Sequence, residues 1–460
     1  MKKILSISLM FCVALGFVAC AGEEDDIFSA SAADRLNAAS DLYSARLTAQ
    51  PNGWAMQLYP TYDDESPNGA GYLLLCRFKK DGTVDVSGYN WPKWEEVYNQ
   101  GSTEWVPSFE QEYRSASSYW EVITDNGPVL TFNSYNKVLH HFSDPDFHET
   151  GTGFGGDYEF IITEAPADAS YMMLKGKKRG TYNLLTPVEV GVDYEEYLTD
   201  VRNFQSKMFA ANAPTGALMV IGDSIFSMED AGMGLPSIYP LGADKVSFEE
   251  FHPFLITRRG TDYYIRFRDV LEKNKQKVQE FRYDKEKDIF TGVGNEKCYI
   301  CGDSIGRFFE SALRDKKRKF EWSEANASSS VYTDLLSQLK TEFNDKFKFT
   351  FLRTELLNNG GVITLAFYYY QNSDKKKTEK SVFYNFDMER KDDVVKFIYT
   401  GDFDEKVSYT ARTNSASLQT FIDKLQQEWQ LKGGETQFDL TSIRLVSSGN
   451  ADEWLTFSLK

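Results

Sequence analysis

The chain has 460 residues, enough for two or three domains at roughly 150 residues each. Hydrophobic residues make up 42 % and aromatics 15 %, with glycine frequent and proline scarce, a profile that fills real cores and suits antiparallel β-structure with many turns. A formal charge of −17 argues against nucleic-acid binding, because such a surface repels phosphate, and against adsorption to an anionic bilayer.

The N-terminus carries the clearest local signal. Lys2 and Lys3 precede an apolar run, Ile4 to Val18, that is too short to span a bilayer as a mature helix and ends in "FVAC". The pattern resembles a bacterial lipoprotein leader of residues 1–19, with lipid placed on Cys20; Phe17 stands where leucine is usual, and an ordinary secretory leader is the alternative. Glu23, Glu24, Asp25 and Asp26 follow in an acidic tether, residues 20–30, that cannot fold by itself. This run resembles the export signal behind the lipidated cysteine of Bacteroidota surface lipoproteins; a plain acidic linker fits as well. The expected address is the outer membrane, lipid-anchored and exposed at the cell surface, with the lipid as the sole membrane contact. Without the leader, Cys76, Cys298 and Cys301 remain beside Cys20, which is no disulfide scaffold.

Ser31 to Gln50 has the 3.6-residue period of a helix, with Ser31 as its cap and "PNG" as its stop. The period then changes to two. "WAMQLYP", "GYLLLCRFKKDGTVDVSGY", "SYWEVITDNGPVLTFNSY", "DYEFIITEA" and "YMMLKGKKRGTYNLL" read as strands, with turns at Asp81-Gly82 and Asn126-Gly127. A helix over 193–211 opens a second strand-rich run, and "EWSEANASSS" marks a break. Helices at about 329–344 and 415–431, with strands around them, complete the chain. The expected fold is α+β, mainly antiparallel β: helix-plus-β-meander modules, barrel- or sandwich-like, over 31–190, 191–325 and 326–460.

Four stretches hold candidate chemistry. Asn90 to Trp120 separates two strand signals and reads as a long loop rich in aromatics; Trp91, Trp94, Tyr98, Trp105 and Tyr113 are the expected contact residues for a glycan or peptide, since Trp and Tyr stack on sugar rings and anchor interfaces. The alternative is an extra hairpin packed on the sheet. "LHHFSDPDFHETGTGFGGDYEF" holds three of the four histidines. His140 and His141, placed on a strand, would point to opposite faces. His148 with Asp144, Asp146 and Glu149 is a candidate Ca or Zn set; a polar turn built on "SDPD" accounts for the same residues, and no cofactor is otherwise expected. "CYICGDSIGRFFESAL" contains Gly302-x-Ser304-x-Gly306, the outline of a nucleophile elbow, but no histidine follows Ser304, so a tight turn is the simpler reading. Cys298 and Cys301 on a strand lie on opposite faces and read as structural. Finally, Lys175, Lys177, Lys178 and Arg179 cluster on one turn, as a basic knob or a solvated tip.

The leader with its acidic tail, "PNGWAMQLYP", "FKKDGTVDV", "HHFSDPDF", "GGDYEFIIT" and "LKGKKRGTYNLLTP" together resemble a family of Bacteroidota surface lipoproteins catalogued as a domain of unknown function. That resemblance implies a gene context beside starch-utilisation-type outer-membrane transporters and assigns no active site. The functional expectation is a non-catalytic accessory binding protein of a nutrient-uptake system, with the transporter complex or a glycan or peptide as partner. A metal-dependent or serine surface hydrolase and a structural or adhesin-like surface protein are the alternatives.

Overall fold

The computed structural model describes residues 31–460 apart from 63–68, 100–101, 126, 148–152, 210–216, 230–233, 244–250, 317, 402–414 and 435. Cys20 and Glu23 to Asp26 lie outside the described residues. The fold is α+β and mainly antiparallel, in three sheets.

The first unit opens with helix α1 (Ala32–Leu47), capped by the Ser31 side chain, which accepts from the Asp34 N–H at 3.1 Å. Nine strands follow: β1 (Trp54–Leu58), β2 (Tyr72–Phe78), β3 (Thr83–Asn99), β4 (Ser102–Tyr119), β5 (Glu121–Thr124), β6 (Pro128–Thr131), β7 (Glu159–Glu164), β8 (Met172–Gly176) and β9 (Tyr182–Pro187). Their spatial order is β4-β3-β2-β1-β9-β8-β7-β6-β5. Each strand neighbours the next in sequence, the first pairs with the last, and the seam falls between β4 and β5, where the chain bends at Trp120. The inner face carries Trp54, Met56, Tyr72, Leu74, Phe132 and Phe160 in one core, and Phe142 enters that core from the segment after β6. β1 is buried along its whole length, because its other face contributes Ala55 to the next core.

Helix α2 (Tyr194–Met208), capped by Asp193, leads into β10 (Ala217–Ile221), β11 (Ser224–Glu229), β12 (Ser237–Pro240), β13 (Phe254–Arg259), β14 (Asp262–Lys273), β15 (Gln276–Asp284), β16 (Ile289–Gly292) and β17 (Cys298–Gly302). Their order, β12-β11-β10-β17-β16-β15-β14-β13, follows the same rule, with β10 pairing β17 and the seam between β12 and β13.

The last unit is a closed barrel of β18 (Lys319–Trp322), β19 (Phe349–Asn359), β20 (Val362–Gln371), β21 (Lys380–Lys391), β22 (Val394–Tyr399), β23 (Glu428–Lys432), β24 (Ser442–Ser447) and β25 (Trp454–Leu459), with β18 on β25. Helices α3 (Ile305–Arg314), α4 (Ser330–Phe347) and α5 (Ala416–Leu425) supply Phe309, Leu339 and Phe421 to its core. The barrel therefore takes α3 from the N-terminal side of "EWSEANASSS", and β18 runs into that stretch. Gln437 ties it to the second sheet: its side-chain carbonyl accepts the Gly302 N–H at 2.9 Å, and its own N–H donates to Asp288 at 2.6 Å. Three meanders that all close first strand on last thus differ in whether the ring is sealed.

Candidate functional site

The aromatic stretch is not a loop. β3 and β4 pair continuously from Thr83↔Tyr119 to Asn99↔Ser102, apart from a register shift between Gly88 and Asn90, whereas β2 pairs with β3 only over Val84–Ser87. Beyond Ser87 the two strands continue as a two-stranded ribbon. The shift bends the ribbon, and Trp91 fills the bend. A Cβ on Gly88 would sit 2.8 Å from the Trp91 ring, so glycine is what admits it. Trp91 is 1 % exposed; its Nε1 donates to the Glu112 carbonyl at 2.7 Å and Arg114 lies over its ring. It is a core residue and cannot stack on a ligand, which corrects its assignment to the contact surface. Tyr113 is likewise an anchor: its hydroxyl donates to Ser87 at 3.2 Å and its ring packs against the second core.

Past the anchor the ribbon changes character. Register sets Trp94 opposite Pro107, Glu96 opposite residue 105 and Tyr98 opposite Thr103. Residues two apart on a strand share a face, as do direct cross-strand partners, so positions 94, 98 and 105 form one row. Trp94 is half-buried and Tyr98 is 77 % exposed; the side chain of Trp105 lies outside the described residues. Lys93 and Glu95, on the reverse face, pair at 2.6 Å. An isolated hairpin is marginal in water, so the ribbon depends on its Trp91 anchor for direction.

The described start of the histidine stretch is a turn. His140 and His141 occupy a 3-10 turn, His140–Phe142, not a strand. Asn136 builds it. Its Oδ1 accepts the Val138 and Leu139 N–H groups at 3.0 and 3.2 Å, and its Nδ2 donates to Ala116 O and Ser118 Oγ, both at 3.1 Å. This local capping competes successfully with strand pairing. His141 turns inward, 4 % exposed, with Nε2 donating to the Pro92 carbonyl at 2.8 Å and its ring edge-on to Trp91 and stacked on Phe154. His140 turns outward, its ring between Tyr158 and Tyr135. Burial pushes both imidazoles below the ordinary histidine range, so both are neutral at pH 7.

Of the candidate metal set, Asp144 and Asp146 are the two residues described. His148 and Glu149 lie outside the described residues. Asp144 accepts the Tyr135 hydroxyl at 2.8 Å and the Asp146 N–H at 3.1 Å, the geometry of a turn, and among the described residues no three metal-ligating side chains converge. The basic turn is held from beneath by Asp157, which accepts the Arg179 N–H at 2.8 Å and the Lys178 N–H at 3.2 Å; Lys177 pairs with Asp125 and Glu159.

Ser304 has the strand–turn–helix setting but not the chemistry of an elbow. Its hydroxyl donates to Asp393 at 2.7 Å and accepts the Arg307 N–H at 3.4 Å, capping α3. Gly306 is required there because a Cβ would strike the Asp392 carbonyl. Cys298 is buried and Cys301 half-buried; both are free, and burial raises both thiols.

Sequence reasoning missed Tyr135 and Tyr158, at 61 % and 47 % exposure. The available signal was a tyrosine at each flank of a polar, turn-forming segment with no hydrophobic period to bury it.

No curated protein matches the sequence. Among solved structures, the DNA polymerase III subunit beta from Pseudomonas aeruginosa aligns over 91 % of this chain and 95 % of its own at 12 % identity with a TM-score of 0.14, a likeness that carries no argument. The family described as "Domain of unknown function (DUF4302)" matches residues 24–285, which take in the whole first sheet and the second as far as β15. The chain belongs to that family.

Proposed function

We propose that this protein is a non-catalytic, lipid-anchored surface protein of an outer-membrane nutrient-uptake system, and that the β3–β4 ribbon is its contact element for a glycan, a peptide or the transporter. The observation that carries the reading is Tyr98, 77 % exposed on the same ribbon face as Trp94. An aromatic left in water on a projecting strand pair costs solvation and adds nothing to the core, but it supplies stacking area to a partner. Anchoring rests on Cys20 and the acidic run behind it. Among the described residues no helix is long and apolar enough to cross a membrane. The Bacteroidota setting and the transporter neighbourhood rest on the resemblance of the quoted motifs alone.

The hydrolase alternative has little to draw on at Ser304, whose hydroxyl is engaged with a carboxylate and a helix N-terminus. The test is binding of the leaderless chain to printed polysaccharide and peptide arrays, comparing wild type with the Trp94→Ala/Tyr98→Ala double variant. A loss of about tenfold or more in the double variant is expected, which is roughly 1.4 kcal/mol and within the range of two stacked aromatics. Retained binding would remove the ribbon from the proposal. Metabolic labelling with a palmitate analogue, lost on Cys20→Ala, tests the anchor.

A further inference from the structure

We propose that the recess around His140 is a second binding site, separate from the ribbon, and that it takes a neutral saccharide. The recess is an open surface depression of ≈ 450 Å³ between the end of β6 and the 3-10 turn, lined by Asn133, Ser134, Tyr135, His140, Asp144 and Tyr158 among others. That volume suits one or two sugar rings.

Its chemistry is specific. The His140 ring lies 5.2 Å from Tyr158, nearly parallel at 18°, and 5.1 Å from Tyr135. Both tyrosines present their rings to solvent although neither is needed to fill the core. Nδ1 of His140 lies 3.1 Å from the Asn136 amide nitrogen and 3.2 Å from its carbonyl oxygen, so the turn backbone engages it and Nε2 is the ring's remaining polar atom. Among the described residues the His140 Nε2 and the Tyr158 hydroxyl have no hydrogen-bond partner. Ser134 Oγ accepts the Tyr119 N–H at 2.8 Å and keeps its own proton for donation. Asp144, engaged by the Tyr135 hydroxyl at 2.8 Å, retains acceptor capacity. The site therefore offers aromatic faces flanked by hydroxyl donors, an imidazole nitrogen and a carboxylate acceptor.

Ligand classes can be separated on those groups. Among the described residues no lysine or arginine lines the recess, so a phosphate or carboxylate ligand would meet Asp144 without a counter-charge. Among the described residues no group of three metal-ligating side chains forms there. A purely apolar ligand would leave the donors unpaired. A pyranose has apolar C–H faces for the tyrosines and equatorial hydroxyls that donate and accept at its edge. The frame is preorganised: Asn136 is fully buried and holds the turn with four side-chain hydrogen bonds, so little ordering is left to binding.

The test is calorimetric titration of the mature chain with neutral hexasaccharides of glucose, mannose, galactose and xylose, beside a hexagalacturonate as the anionic counterpart. At least one neutral sugar is expected to bind. Tyr135→Ala and Tyr158→Ala are each expected to weaken it roughly tenfold, as loss of a stacked face does, while Tyr98→Ala on the ribbon leaves it unchanged. Both tyrosines are exposed, so both variants should fold, and a thermal melt checks this. No neutral sugar binding at millimolar concentration, preference for the galacturonate, or binding that ignores both tyrosines would overturn the proposal. Sensitivity to Tyr98 alone would place the sugar on the ribbon and overturn only this second site.

Discussion

Asn136→Ala tests whether one buried amide organises the whole histidine segment. Asn136 is 0 % exposed and makes four side-chain contacts: two backbone N–H groups donate to its Oδ1, and its Nδ2 donates to Ala116 O and Ser118 Oγ. Truncation orphans the Val138 and Leu139 N–H groups; the Ala116 carbonyl keeps its ladder partner on β3, and the Ser118 hydroxyl can rotate to a new partner. At the lower end of roughly 1–3 kcal/mol per buried unpaired group, the sum is about 2–3 kcal/mol for the first unit. That is a large part of the roughly 5–15 kcal/mol that holds a typical domain. Five of the eight tryptophans, Trp54, Trp91, Trp94, Trp105 and Trp120, fall in this unit, so fluorescence-detected melting reports mainly on it. A midpoint lower by on the order of 10 °C is expected. Hydrogen exchange should rise across 136–147 and along β3–β4, with the barrel unchanged. A variant that melts and exchanges like wild type would show that the turn is held by packing alone and refute the capping argument.

Three further outcomes follow from the same geometry. Trp91→Ala removes a fully buried indole and should cost about 3–5 kcal/mol, while Tyr98→Ala should stay within about 0.5 kcal/mol, and denaturant titration of the two separates anchor from platform. His140 and His141 have folded pKa values depressed below 6.5, so their contribution is complete above pH 6.5 and is lost as pH falls, because the unfolded chain takes up protons that the native state refuses. The first unit should therefore melt lower at about pH 5.5 than at pH 7.5, with a smaller drop in a His140→Phe/His141→Phe variant; an equal drop would assign the effect to carboxylates instead. Ser304→Ala should cost about 1 kcal/mol as a lost helix cap and leave any ester-hydrolysis background unchanged; abolished hydrolysis would restore the serine as a nucleophile.

Elements built from local chemistry were legible in the sequence. The Ser31 and Asp193 helix starts, the Asp81-Gly82 turn and the strands of "GYLLLCRFKKDGTVDVSGY" stand where the 3.6 and 2.0 periods put them. The "SDPD" turn reading also held for its described residues, because Asp144 accepts the Asp146 N–H whatever packs around it. Parity along a strand was visible as well: Trp94 and Tyr98 had to share a face once the segment was extended. The error was to read Asn90–Trp120 as loop, since long strands with prolines and glutamates carry little hydrophobic alternation when only one short stretch of them is covered.

Three decisions belonged to tertiary structure. Which tryptophan is buried depends on the turn carrying His141 and Phe142 seating beneath the bend at Gly88, and those segments are far apart in sequence. Which histidine faces water depends on Asn136 choosing local capping over a ladder. And the ring closures join β1 to β9, β10 to β17 and β18 to β25, pairings set by accumulated twist and curvature across whole sheets. Sequence fixes a strand's two faces through its period, but which strand finally lies beside it, and so which aromatics remain in water to meet a ligand, is decided only when the sheet has curled far enough for its first and last strands to meet.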